Sequence, residues 1–154
     1  MPAVTLTPAG PFSLASGIRF LEGFGPASHH HPADGMLRLA FPADDGVPVV
    51  AAGVRQAVRA DGGTGTVRAE FTVHPGTPNR AKTATAEAAA ERDVRAQLAG
   101  ILSLDVDATG FPGLATDPVV AGLVADHPGL RPVCFHSPCE AAAWAIIGHL
   151  FSTG

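Results

Sequence analysis

A chain of 154 residues, 46% hydrophobic and 16% charged, suits one domain or two small ones. It has no apolar run long enough to span a membrane and no basic-then-apolar signal pattern at its N-terminus, and its two cysteines, Cys134 and Cys139, are too few for a disulfide framework. The expectation is a soluble cytoplasmic protein with reduced thiols, whose net charge of −4 disfavours strong binding to nucleic acid by charge alone.

Residues 11–25 read as a short amphipathic helix, with Leu14, Ile18 and Leu21 at three- and four-residue spacing and Gly23 and Gly25 ending it. Residues 36–41 alternate, which places Leu37, Leu39 and Phe41 on one face of a strand. Residues 47–52 form a second apolar run and 54–60 a third, with Asp61-Gly62-Gly63-Thr64-Gly65 as a turn. Residues 66–73 give the clearest strand, Val67, Ala69, Phe71 and Val73 alternating with Thr66, Arg68, Glu70 and Thr72. One apolar and one polar face imply an antiparallel sheet. His74-Pro75-Gly76-Thr77-Pro78-Asn79 marks a boundary between an α+β sheet domain, residues 1–78, and a helical part, residues 79–154.

In the helical part, residues 84–104 are rich in Ala, Glu, Arg and Gln, with Val94, Leu98, Ile101 and Leu102 as an apolar stripe. Asp117-Pro118 is a cap-plus-proline start for a short helix over 119–126, stopped by Pro128-Gly129. Ser137-Pro138-Cys139-Glu140 opens the last helix. Ser137 is placed to cap free N–H groups, and Glu140 to bond back to the cap N–H. Beyond it Ala141, Trp144, Ala145 and Gly148 share a face, with Ile147 beside them, a pattern that predicts burial in a larger helical unit.

Two constellations suggest metal chemistry. Asp105-Val106-Asp107-Ala108-Thr109-Gly110 begins like a calcium loop, but Thr116 stands where a bidentate Glu belongs and Pro112-Gly113 interrupts it, so an acidic helix-ending turn is the better reading. Cys134, His136 and Cys139 supply soft ligands, and His29-His30-His31 further imidazoles. The tighter cysteine spacing and second ligand pair of a zinc site are missing, so no metal or other cofactor is expected. Spacing alone assembles no catalytic residues.

The run Pro128-Gly129-Leu130-Arg131-Pro132, followed by Ser137-Pro138-Cys139-Glu140-Ala141-Ala142-Ala143-Trp144-Ala145-Ile146-Ile147-Gly148-His149-Leu150, resembles the segment that opens the helical domain of DNA-3-methyladenine glycosylases of the AlkA type, in the helix-hairpin-helix glycosylase superfamily. The resemblance extends back through Ile101-Leu102-Ser103-Leu104-Asp105 and Asp117-Pro118, and more weakly to Pro11-Phe12. It implies an N-terminal domain similar to half of a TATA-binding-protein fold, followed by the start of an all-helical domain. It also implies an enzyme that extrudes an alkylated base and hydrolyses its N-glycosidic bond with a catalytic aspartate. The hairpin and that aspartate lie beyond the matched segment, and none of Asp105, Asp107, Asp117 or Asp126 fits the aspartate's motif. The expectation is therefore a truncated glycosylase, inactive alone.

By the same resemblance His149 and Leu150 occupy the turn whose side chain wedges into the gap left by the flipped nucleotide, although the family usually carries an amide residue where His149 stands. Charge is uneven: residues 1–82 hold seven Lys/Arg against six acids, and 83–154 three against eight. The chain alone is expected to hold double-stranded DNA weakly or not at all, and to self-associate or take up a complementing C-terminal polypeptide. Two other readings are a non-catalytic interaction or DNA-binding module and a regulatory protein that binds metal through the Cys/His cluster.

Overall fold

The computed structural model describes residues 1–23, 34–43, 48–59, 63–74 and 84–151, apart from the side chains of 84–89, 150 and 151. Its elements run β1 (Ala3–Leu6), α1 (Leu14–Gly23), β2 (Leu37–Pro42), β3 (Val49–Gln56), β4 (Val67–His74), α2 (Ala84–Ile101), a 3-10 helix (Phe111–Thr116), α3 (Pro118–Asp126) and α4 (Pro138–Phe151). The fold is α+β. The four strands form one antiparallel sheet in the order β1-β4-β3-β2.

Strand alternation builds the core row by row. Register places Leu37, Val54, Ala69 and Val4 in one line across all four strands, and Leu39, Ala52 and Phe71 in the next. Six of these seven are buried and Leu39 packs against them, so one sheet face is the core floor. Leu14 of α1, with Ile18 and Leu21 beside it, and Val94, Leu98 and Ile101 of α2 close over that floor, joined by Leu102 and Leu104. Burying each such side chain contributes about 1.5–3 kcal/mol. The other face, bearing Thr5, Arg38, Arg55, Arg68 and Glu70, is exposed. There Asp34 pairs with Arg38 at 2.6 Å and approaches Arg55 at 3.8 Å.

The structure alters several sequence expectations. The runs at 47–52 and 54–60 are one strand, β3, with Gly53 inside it rather than at a break. An added Cβ at Gly53 would lie 3.0 Å from the Met36 sulfur, so a side chain there would have to shift the end of the flexible Met36 side chain. β1 and the 3-10 helix were not anticipated. β1 has only four residues, and Gly110-Phe111-Pro112-Gly113 carries no helical periodicity. The helix expected over 11–25 is shorter, Leu14–Gly23, and the one expected over 84–104 ends at Ile101. The boundary motif lies almost entirely outside the described residues, only His74 falling within them; the core contains buried residues from both sides of it.

α2 stops where Ser103 adopts φ +53, a left-handed residue that lets Leu104 N–H return to the Ala99 carbonyl at 2.7 Å and Ser103 N–H to Gly100 at 3.2 Å. Arg95 ties α2 to the sheet edge by donating to the Thr5 carbonyl.

Candidate functional site: the Arg131 clamp and the last helix

The segment carrying the family resemblance is held by a single cation. Arg131 is 7% exposed and donates to four backbone carbonyls: Pro11 at 2.9 Å, Ser103 at 2.8 Å, Val106 at 2.9 Å, and Ala9. The guanidinium has donors in a fixed fork, which is why an arginine can join three separate stretches of chain at once. Burial lowers its pKa from the ordinary arginine value, and the nearby Asp107 charge partly offsets that effect.

Neighbouring contacts complete the clamp. Gly129 has φ +67 and its carbonyl accepts from Ser13 N–H at 2.7 Å; an added Cβ would lie 2.8 Å from the Phe12 carbonyl carbon. Ser16 Oγ donates to the Pro128 carbonyl at 3.4 Å. Further on, Ser103 Oγ donates to the Pro132 carbonyl at 2.8 Å, and Cys134 N–H to Ile101 at 2.7 Å. The Pro128–Cys134 stretch is therefore fixed to the starts of α1 and the end of α2.

From this anchor the chain enters α4. Ser137 Oγ accepts from Glu140 N–H at 3.1 Å, as the cap expectation requires. The reciprocal bond differs: Glu140 Oε2 reaches past the cap residue to accept from His136 N–H at 2.9 Å, and lies 2.5 Å from His136 Nδ1. An imidazole one residue before the cap gives the carboxylate a second donor there. At the start of α3, Asp117 Oδ1 accepts from Val119 N–H at 2.8 Å and Val120 N–H at 3.2 Å, the expected cap.

α4 does not have the burial its sequence predicts. Ala141 and Trp144 are half-buried, but Ala145, Ile147 and Gly148 are exposed, and Ile146 is 62% exposed. Among the described residues, the half-buried positions of α4 lie in its first two turns. A shallow cleft of about 570 Å³ opens there, among Gln97, Ile101, Phe135, His136 and Ala141.

His149 and Leu150, the wedge residues implied by the resemblance, are both helical in backbone, because α4 runs to Phe151. His149 is exposed; the Leu150 side chain lies outside the described residues. Among the described residues no group of three His, Cys, Asp or Glu side chains is placed to hold a metal ion. Cys134, His136 and Cys139 therefore do not converge: Cys134 Sγ lies 3.5 Å from Ser103 Oγ, and His136 is engaged by Glu140. The histidine run at 29–31 lies outside the described residues.

The calcium-like loop is a turn. Asp107 Oδ1 accepts from Thr109 N–H at 2.9 Å, and this bond, then the Thr109 hydroxyl and the Arg131 charge, hold its carboxyl below the usual range. The role of Arg131 as a clamp was not visible in sequence, since one arginine in a Pro-Gly-rich loop carries no burial signal. None of the family models, curated proteins or solved structures compared with the chain matches it. No helix among the described residues is long and apolar enough to cross a membrane.

Proposed function

We propose that the chain is the N-terminal portion of a DNA-3-methyladenine glycosylase of the AlkA type, serving base-excision repair of alkylated DNA, and that it is catalytically inert by itself. The observation that carries the reading is α4: an apolar helix, uncharged from Ala141 to Gly148, held at its start by the Arg131 segment and uncovered beyond Trp144. A helix apolar on every side belongs inside a larger helical unit. In the resembling family, that unit brings the hairpin that grips the phosphate backbone and the aspartate that stabilises the cationic sugar.

The sheet, with α1 and α2 over one face, supports the finer fold reading, half of a TATA-binding-protein-like domain. In the assembled enzyme Leu150 supplies an apolar wedge that replaces lost stacking beside the extruded nucleotide, and His149 stands next to it. The 154 residues alone bind duplex DNA weakly, because their charge is −4 and backbone contacts from the hairpin are not part of them. The partner in this reading is double-stranded DNA, reached through the larger helical unit that α4 would enter.

A bacterial strain lacking its alkylation glycosylases tests this. An AlkA-type enzyme whose N-terminal portion is replaced by residues 1–150 restores survival on a methylating agent. A stably produced hybrid that leaves the strain fully sensitive would overturn the reading.

A further inference from the structure

The shallow cleft beside α4 is walled by two pieces of chain that are fastened to each other. Gln97, Gly100 and Ile101, at three- and four-residue spacing on α2, line it together with Phe135, His136 and Pro138. Cys134 N–H bonds to the Ile101 carbonyl at 2.7 Å, and Glu140 Oε2 holds His136 by its backbone N–H at 2.9 Å and by Nδ1 at 2.5 Å. The cleft is therefore preformed, and its volume of about 570 Å³ lies in the range of small-molecule sites.

Two polar atoms of these lining residues lack partners among the described residues. Gln97 Nε2 donates to the Pro42 carbonyl at 3.0 Å, which orients the amide and leaves Oε1 buried with no donor. A buried acceptor in that condition is a standing cost, relieved by any donor that reaches it. The His136 ring gives Nδ1 to Glu140; in the neutral ring with its proton on Nδ1, Nε2 is a second acceptor. No Lys, Arg, Asp or Glu lines the cleft, and the nearby Glu140 is engaged by His136. The polar atoms therefore suit a neutral ligand that brings donors. The walls suit a flat one, since Gly100 has no side chain and Phe135 and Pro138 present rings.

We propose that this cleft binds a neutral planar aromatic molecule carrying an N–H donor, its ring seated against Gly100 and Phe135 and its N–H bonded to Gln97 Oε1. Binding supplies the missing donor and takes the apolar lining out of water. A carboxylate ligand would meet two acceptors and no cation, and a purely aliphatic one would leave Oε1 unpaired.

The test titrates the whole nitrogen-labelled chain with three probes: indole, 1-methylindole, whose donor is replaced by a methyl group, and indole-5-carboxylate. Indole shifts the backbone amide signals of Gly100, Cys134 and Ala141 in a saturable way. It binds at least about fivefold tighter than either other probe, although 1-methylindole is the more apolar. At Gly100 an added Cβ meets nothing within 4 Å, so Gly100→Leu fills the cleft while favouring the helix, and weakens indole about tenfold. Gln97→Met keeps the side-chain length and removes the acceptor. Indole and 1-methylindole then bind alike, a loss of discrimination that destabilising the fold would not produce.

Equal binding of indole and 1-methylindole to the wild type would overturn the proposal, as would a preference for indole that survives Gln97→Met. Tighter binding of the carboxylate, undiminished binding by folded Gly100→Leu, or no saturable shift would do the same. The assay contains no DNA, so its failure leaves the glycosylase reading standing.

Discussion

Arg131 Nε donates to the Pro11 carbonyl at 2.9 Å, joining residues 120 positions apart in the chain. Through the same guanidinium the end of α2 is fastened to the entry of α1, so the loop after α3 is a structural centre rather than a connector. Removing the cation leaves four carbonyls to find other donors. Arg131→Ala is expected to cost roughly 3–5 kcal/mol and Arg131→Lys, which keeps the charge but loses the fork, about 2 kcal/mol. Urea unfolding of the two variants checks the order.

Gln56, the last residue of β3, places Oε1 2.8 Å from Leu14 N–H and donates from Nε2 to the Phe12 carbonyl at 3.0 Å. The sheet thereby caps α1 from across the core. Gln56→Leu keeps approximate volume and loses both bonds, which should lower stability by about 1–2 kcal/mol. Helix α1 would then exchange its amide hydrogens faster than the sheet, a selective loss that hydrogen exchange reads directly.

Leu98 of α2 is fully buried in the same cluster as Phe71 and Val54. Leu98→Ala is expected to destabilise by about 2–5 kcal/mol. If α2 and the sheet are one cooperative unit, the far-ultraviolet signals of helix and strand fall in a single transition in both wild type and variant. Separate transitions would contradict the shared core.

Acid stability carries a signature from Asp34, whose carboxyl is held down to about 2, chiefly by the Arg38 hydrogen bond and then by Met36 N–H. The depressed folded-state value means the unfolded chain binds the proton first as pH falls. Stability from this group is complete above the ordinary value of 3.8 and drains away between 3.8 and about 2. Asp34→Asn should flatten that part of the pH–stability curve by lowering stability above 3.8, neutrality included, while leaving it nearly unchanged near pH 2. The group is exposed, so salt should shrink the effect.

The elements most legible in sequence were those with complete local signals. Asp117-Pro118 fixed the start of α3, Ser137-Pro138 that of α4, and strict alternation revealed β4. Tertiary causes hid the rest. Gly53 looked like a strand break because its close neighbour there, the Met36 sulfur, comes from outside the strand. β1 is recognisable only by pairing, its Val4 opposite Ala69. At the candidate site the caps were readable, whereas the Arg131 clamp depends on carbonyls from two other stretches of chain. The exposure of Ile146 and Ile147 ran against their apolar pattern, since sequence shows that a face wants cover and not whether cover is present.

The most direct measurement is release of 3-methyladenine from alkylated duplex DNA, comparing the 154-residue chain with the same chain fused in frame to the hairpin-and-aspartate portion of an AlkA-type glycosylase. The account predicts no release by the chain alone and clear release by the folded fusion, lost when the fusion's aspartate is replaced by Asn. Release by the purified chain alone, or none from a fusion that folds, would contradict it.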